Sequence, residues 1–311
     1  MEPLRILTGQ TASGKSGVAV CIAKATGAEI ISMDSMKIYR GLDIATAKPS
    51  HAVREAVPIH VVDVVEPQDV FSLAAYLKAA RAAAADIAAR GRPVLFVGGT
   101  PLYLRGLLYG IFEGPGADWA WRAEMQKKAG SDGLAGLHEE LRKADPVAAA
   151  RLHPNDHRRI IRALEVARAT GRPISEHQRQ YPAAAPAVSY RMAALRRSEA
   201  DLKERISRRI DRMFEGGLVD EVRRTLERGG FSRTAQKAIG CREVLAHLRG
   251  ELSLPETVAL VKRNTWHLAR KQRAWLRSFP GVLWLDVAPD EAVENTAERA
   301  RRLLFGSYSP N

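Results

Sequence analysis

Apolar residues fall in short unbroken runs through the first third of the chain and in helical stripes through the rest. The runs are LRILT (4–8), EIISM (29–33), HVVDVV (60–65) and PVLFVGG (93–99). They are too short for helices and do not alternate with polar residues, so each predicts a strand covered on both faces. SLAAYLKAARAAAADIAARG (72–91) predicts a helix with a glycine stop. Helices between buried strands predict an α/β fold, a parallel sheet covered by helices.

From Gly114 to about Pro186 the strand runs vanish. LAGLHEELRKA and DHRRIIRALEVARATG carry the helical period instead. GPGAD (114–118) opens this region and YPAAAPA (181–187) closes it, both with linker composition. The expected organisation is a core in two parts, 1–113 and 188–311, with an inserted all-helical subdomain at 114–187. SYRMAALR (189–196) and VLWLDV (282–287) predict two returning strands. Between them, residues 199–217 predict a helix with Leu202, Ile206, Ile210 and Met213 on its apolar face. Arg205, Arg209 and Arg212 share the other side. A later helix, about 256–278, carries the stripe Arg263, Trp266, Arg270, Arg273 and Arg277. The Ala-rich tracts are helix formers rather than disorder.

Charge adds a partner to this outline. The 311 residues carry a formal charge of +13, and residues 191–311 hold 24 basic against 16 acidic side chains. An excess of that size predicts a polyanion, RNA or DNA first; a basic but merely solvated surface is the plainer alternative. No run of 18 apolar residues appears, so no membrane span is expected. The start of the chain does not read as a signal peptide. Cys21 and Cys241 have no metal-ligand spacing. They predict free thiols in a reduced, cytoplasmic protein.

The candidate chemistry begins at GQTASGKS (9–16). Gly-x-x-x-x-Gly-Lys-Ser between a strand and a helix is the spacing of a P-loop, whose backbone N–H groups surround an anion. The cradle is Gly9, Gln10, Thr11, Ala12, Ser13, Gly14, Lys15 and Ser16. Lys15 reaches the outer phosphate, Ser16 can bind Mg²⁺, and the helix N-terminus adds positive potential. A chance Gly/Ser-rich turn is the alternative. A nucleotide hydrolase also needs an acid at the end of an apolar strand near the metal. PVLFV ends instead in Gly98-Gly99-Thr100, and the acid is Asp34, after EIISM. In a parallel sheet the P-loop, Asp34 and Thr100 all lie at carboxyl ends of strands, beside the ligand crevice. Asp34 is then a candidate general base; a turn or helix-cap role is its ordinary alternative. A phosphate cradle can also hold a diphosphate ester as a leaving group. Lys15, Mg²⁺, Arg205 and Arg209 would stabilise the departing charge, and Asp34 would take the proton of an attacking nitrogen.

Six ordered stretches carry a resemblance. They are GQTASGKS, DSMKIYRGLDIATAKP (34–49), VGGTPLYLRGLLYG (97–110), DPVAAARLHPNDHRRIIRALEVARATGRPIS (145–175), AIGCRE (238–243) and RKQRAWLR (270–277). Over nearly its whole length the chain resembles the tRNA dimethylallyltransferase family. The resemblance implies transfer of a dimethylallyl group from dimethylallyl diphosphate to N6 of the tRNA adenosine on the 3′ side of the anticodon. It implies a P-loop holding the donor's diphosphate with Mg²⁺, and not ATP. Asp34 is then the base, Thr100 lines the reaction channel, and Arg205 contacts the diphosphate. Asp34, Ser35, Met36 and Lys37 correspond to the segment at the target adenosine. Arg158, Arg159, Ile160, Ile161 and Arg162, with Arg122, correspond to tRNA contacts, as do Lys237, Ala238, Ile239, Gly240, Cys241 and Arg242. The adenosine would be drawn out of the anticodon loop. The chain departs from the family pattern in places. Gln10 stands for a common proline, Ser16 for threonine, Lys37 for glutamine, Cys241 for a frequent aromatic residue and Ala274 for threonine.

Three other readings compete. A small-molecule P-loop kinase with a helical lid also needs arginines over its phosphates and an acid near the second strand, and a cytokinin-forming prenyltransferase acts on free AMP or ATP. A nucleic-acid-binding NTPase needs the strand-end acid that is missing here. The basic insert and its HPND segment (153–156) favour a large polyanionic substrate. A monomer with tRNA and dimethylallyl diphosphate as partners is the expectation.

Overall fold

The computed structural model describes residues 2–112, 114–131, 133–178 and 186–306. Within them the chain divides into two compact units, Met1–Leu108 with Val188–Asn311, and Tyr109–Ala187. Of the linker expected at 181–187, residues 181–185 lie outside the described residues.

The first unit is built on six strands. They are β1 (Leu4–Gly9), β2 (Glu29–Met33), β3 (Ile59–His60), β4 (Val94–Gly98), β5 (Tyr190–Arg196) and β6 (Val282–Asp286). Their order is β3-β2-β4-β1-β5-β6, and every pair is parallel. Parallel strands need helices on their faces, which is why the runs are apolar without alternation. Ile6, Leu7, Ile31, Leu95, Ala193 and Leu195 are fully buried. Helices α1 (Lys15–Thr26), α2 (His51–Ala56), α3 (Leu73–Ala89) and α4 (Pro101–Tyr109) follow the first strands. The chain goes from β1 to β2 past the place later taken by β4, so the segment after β1 sits where the strand order reverses, the usual ligand position in such sheets.

The second unit is helical throughout its described residues: α5 (Trp119–Ser131), α6 (Gly133–Ala144), α7 (Pro146–Arg151), α8 (His157–Thr170) and α9 (Ile174–Gln178). Leu137, Leu141, Ile160, Ile161 and Leu164 form its core. Glu165, 1% exposed, receives both Arg122 nitrogens at 2.8 and 2.6 Å and the N–H of Asp118 at 2.8 Å.

Back in the first unit, α10 (Glu199–Glu215) is capped by Ser198, which accepts from Asp201 N. It buries Leu202, Ile206, Ile210 and Met213, the stripe read from its sequence. Then come α11 (Leu218–Glu227), α12 (Cys241–Leu248), α13 (Leu254–Leu276) and α14 (Val293–Phe305). Helices α1 and α14 close one core with Leu7, Leu95 and Leu195 of the sheet.

One strand is shorter than its sequence predicts. HVVDVV gives only the end of β3, at His60. Val61 and Asp63 take left-handed φ values of 59° and 54°, which no strand tolerates. Asp63 is drawn out by Lys48 Nζ at 2.5 Å and Arg54 at 2.6 Å. A single bridge, Tyr39 to Val65, replaces the ladder.

The segment between β2 and α2 has no regular backbone ladder, and α11 holds it. The Glu221 carboxylate accepts the N–H groups of Asp43, Ile44 and Ala45 at 2.8, 2.8 and 2.9 Å. Removing it strands three donors in a part-buried place. Glu221→Ala is therefore expected to lower the unfolding free energy by about 3 kcal/mol, since each orphaned group costs about 1–3 kcal/mol. Urea unfolding measures it, and a change below about 1 kcal/mol would mean that water replaces the carboxylate.

Candidate active site

The P-loop closes at the end of β1, and its shape depends on two glycines. Gly9 has φ of 144°, and a Cβ there would stand 2.8 Å from the Leu195 carbonyl oxygen of the neighbouring strand. Gly14 has φ of 97° and precedes α1. Gly14, Lys15 and Ser16 thus stand at a helix start, where N–H groups have no acceptor within the helix.

The loop's carbonyls are tied down by cations. Lys15 Nζ donates to Gln10 O at 3.1 Å, Arg205 Nε to Ala12 O at 2.9 Å, and Arg197 Nε to Ser13 O at 2.9 Å. Arg197 is itself fixed by Asp201 at 2.8 Å and by the Ala288 carbonyl at 3.0 Å. From α13, Gln272 Oε1 accepts Thr11 N at 2.7 Å while its Nε2 donates to Gly99 O at 2.8 Å. The Gln10 side chain turns into the protein and donates to Ala269 O at 3.1 Å. Gln10 can therefore meet an anion only through its backbone.

Asp34 lies just past β2. One carboxylate oxygen accepts Met36 N at 2.9 Å, an Asx-type turn. Among the described residues Asp34 makes no ion pair within 4 Å, although Lys15, Lys37 and Arg209 all interact with it electrostatically. Lys15 keeps some exposed surface, but its ammonium lies deep among protein atoms. Burial pushes its pKa down to about 7, with Asp34 opposing and Lys37 and Arg209 adding to the fall. Burial likewise lowers Lys37 and Arg209. Arg209 donates to Thr11 Oγ1 at 3.3 Å, and its buried Nε has no partner. Arg205 is lowered by burial and by Arg197 beside it.

These groups border a cleft of about 960 Å³. Lys15, Lys37, Arg205, Arg208, Arg209 and Arg212 line it against the carboxylates of Asp34, Asp211 and Glu215. A second, largely apolar cavity of about 320 Å³ shares Lys15, Ser16, Gly17, Asp34 and Lys37 with the cleft. A site so positive calls for an anion with more than one charge. Among the described residues no three His, Cys, Asp or Glu side chains gather to hold a metal. Ser16 and Asp34 offer oxygen ligands beside the cradle, which suits Mg²⁺ carried on phosphate oxygens rather than a cage of protein ligands.

The remaining predicted residues are placed as follows. Thr100 lines neither cavity. Its hydroxyl accepts Ser35 N at 3.1 Å and its N–H donates to Met33 O at 3.2 Å, so it braces the loop that carries Asp34. Lys237 is exposed, and Arg242 reaches out while bonding Glu243 at 2.6 Å. Ala238 and Cys241 are buried, and burial pushes the Cys241 thiol up to about 12. Their side chains face the interior, so a contact there would run through the backbone. In the second unit Ile160 and Ile161 are likewise core residues. There Arg158 and Arg159 are exposed at the start of α8, whereas Arg122 and Arg162 are committed to Glu165.

Two residues of the site were missed by sequence reading, and both had a signal. Arg197 follows β5 directly, at the crevice end of a central strand. Gln272 falls in the buried stripe Val261, Thr265, Ala269 and Leu276, where an amide side chain must have partners.

Residues 37–279 match the IPP transferase family, and residues 2–59 match the isopentenyl transferase family. A tRNA dimethylallyltransferase of Geobacter metallireducens is 45% identical over 91% of this chain and 92% of its own length. One of Pelotomaculum thermopropionicum is 41% identical over 98% of this chain and 97% of its own. The crystal structure of the tRNA isopentenylpyrophosphate transferase of Bacillus halodurans superposes with a TM-score of 0.73 at 35% identity, covering 98% of this chain and 96% of that one.

Lys15 gives the site a pH dependence that sulfate can report. In the free protein Lys15 is charged below about pH 7 and neutral above it. A bound anion favours the ammonium, so binding takes up a proton and weakens as pH rises. Sulfate affinity is expected to fall at up to about tenfold per pH unit above the Lys15 midpoint, the limit for one proton. Lys15→Met is expected to flatten this dependence. Calorimetry in two buffers of unlike ionisation enthalpy measures the uptake; no uptake by the unmodified protein would exclude a neutral Lys15.

Proposed function

The chain belongs to the IPP transferase family, and from that premise we propose that it is a tRNA dimethylallyltransferase. It transfers the dimethylallyl group of dimethylallyl diphosphate to N6 of the adenosine 3′-adjacent to the anticodon in tRNA and releases diphosphate. The observation that carries the reading is an unpaired carboxylate, Asp34, set beside an anion cradle among Lys15, Lys37 and Arg209.

That arrangement divides the labour. The cradle's N–H groups, Lys15 and Arg209 bind the diphosphate and accept its growing negative charge as the C1–O bond breaks. The Arg205 and Arg197 guanidiniums flank Gly14, each 3.7 Å from where a Cβ would stand. They fix the loop and add to the same field. Mg²⁺, when bound at Ser16 with the diphosphate, supplies further charge neutralisation. Asp34 has one oxygen held by Met36 N and the other without a hydrogen bond among the described residues, so it can take the N6 proton of an incoming adenine. The basic cleft and the exposed Lys237, Arg158 and Arg159 suit a polynucleotide acceptor.

A phosphoryl-transferring enzyme is the rival. A nucleic-acid-binding NTPase would need an acid closing an apolar strand near the metal, and β4 is followed instead by Gly99 and Thr100. A small-molecule kinase would find its acid in Asp34, after β2, and what tells against it is the basic surface suited to a large polyanion.

Label transfer from radiolabelled dimethylallyl diphosphate to unmodified tRNA, with AMP as a parallel acceptor, tests the proposal. Asp34→Ala is expected to lower the rate by about 10²–10⁴-fold, the usual worth of a general base, while sulfate binding persists. Label in AMP alone moves the chain to the cytokinin-forming reaction. Consumption of ATP with no prenyl transfer installs the kinase reading.

A further inference from the structure

The apolar cavity is the second space that opens on the P-loop. Beyond the five residues it shares with the basic cleft, its walls carry no charge. Val20 comes from α1, Val53 from α2, Ile59 from β3, Val97 from β4 and Val293 from α14. Only the Ser32 hydroxyl and the Cys21 thiol interrupt this lining. A space that is cationic at one end and apolar over the rest fits an amphiphile with an anionic head and a hydrocarbon chain.

Its size says which chain. An apolar protein cavity of about 150 Å³ takes a six-carbon benzene ring. The cavity here, about 320 Å³, is twice that. Part of that space, beside Lys15, Ser16 and Asp34, belongs to the diphosphate and the acceptor, and the rest is apolar-walled space that a chain longer than five carbons can cover. Nothing charged in the apolar walls obstructs a longer chain.

We propose that this cavity accepts ten-carbon chains, so that the enzyme also binds geranyl diphosphate and transfers its geranyl group to the same adenosine. The proposal rests on the prenyl-transfer reading of the site. The step keeps the same balance. The N6 lone pair forms the bond to C1 of the geranyl group, the C1–O bond breaks with its electron pair going to the diphosphate, and the N6 proton goes to Asp34. No oxidant or further reactant is needed.

The test uses the full chain, unmodified tRNA, Mg²⁺ and either dimethylallyl or geranyl diphosphate, with the nucleosides identified by mass after digestion. N6-geranyladenosine is expected, with kcat/KM within about tenfold of the dimethylallyl reaction, a gap of the size one pocket methylene makes. Val53 and Val62 both line the cavity, and Val53→Phe and, separately, Val62→Phe shorten the space left for a chain. Each is expected to lower geranyl transfer by about tenfold more than it lowers dimethylallyl transfer, read as the ratio of the two kcat/KM values. Thermal unfolding confirms that each variant is folded. Dimethylallyl transfer without geranyl transfer overturns the proposal and leaves the reading of the site intact. An equal loss for both donors in both folded variants overturns it too, as does inhibition by geranyl diphosphate without product. Failure of both donors with the unmodified enzyme overturns the prenyl-transfer reading and this proposal with it.

Discussion

Everything in the site depends on holding the carbonyls of the P-loop still. The oxygens of Gln10, Ala12 and Ser13 are taken by Lys15, Arg205 and Arg197. Hydrogen bonds from charged donors are the strong ones, about 1.5–3 kcal/mol each. With these carbonyls held, the loop keeps a fixed shape, although Ser13 N also donates to Gln10 O at 3.2 Å and Thr11 N to Gln272. The partners come from far along the chain: Arg197 and Arg205 lie 184 and 193 residues beyond their acceptors, and Gln272 lies 261 beyond Thr11. A motif written in eight consecutive residues therefore becomes a rigid cradle only when β5, α10 and α13 are in place. The chain can carry a helical insert between β4 and β5 because the cradle's supports enter after it.

The same supports create an excess of positive charge. Lys15, Lys37, Arg205 and Arg209 all have pKa values lowered by burial. Lowered values on cations mean that the empty site stores unfavourable electrostatic energy. Asp34 offsets part of it for Lys15, Lys37 and Arg209 without pairing with any of them. A carboxylate locked in a salt bridge would be a poor proton acceptor, whereas one held by a single backbone N–H stays available. A bound polyanion relieves this repulsion.

Much of this was legible in the sequence, for identifiable reasons. The apolar runs of β1, β2 and β4, the P-loop spacing and the stripe of α10 are local patterns with one physical reading each. HVVDVV misled because composition predicts a strand, while Lys48 and Arg54 pull Asp63 away from one. The motif stretch at 158–162 was read as a block of contacts, but a helix turns its residues through every direction. Arg158 and Arg159 therefore face out while Ile160 and Ile161 form the core. Arg122 has the charge of a nucleic-acid contact but its partner, Glu165, is 43 residues away and invisible to any local pattern. Long-range pairing of this kind separates a basic residue that binds from one that braces.

Helix α13 braces the loop from outside. A proline at position 10 would stiffen the loop through its ring, which fixes φ. Gln10 lacks the ring, and its side chain reaches Ala269 O on α13. Three residues further along the same helix, Gln272 grips the next loop residue, Thr11, and the end of β4 at Gly99. Gln272 must donate and accept at once. A glutamate lacks the donor, and a leucine lacks both groups. One helix face thus constrains the backbone at residues 10 and 11 from outside, and ties the β1 loop to the β4 loop through a single amide. The stiffness that a proline builds into the chain is here supplied by packing. The cradle is therefore as rigid as the seating of α13 against it, and a substitution in that helix can reach the phosphate without touching it.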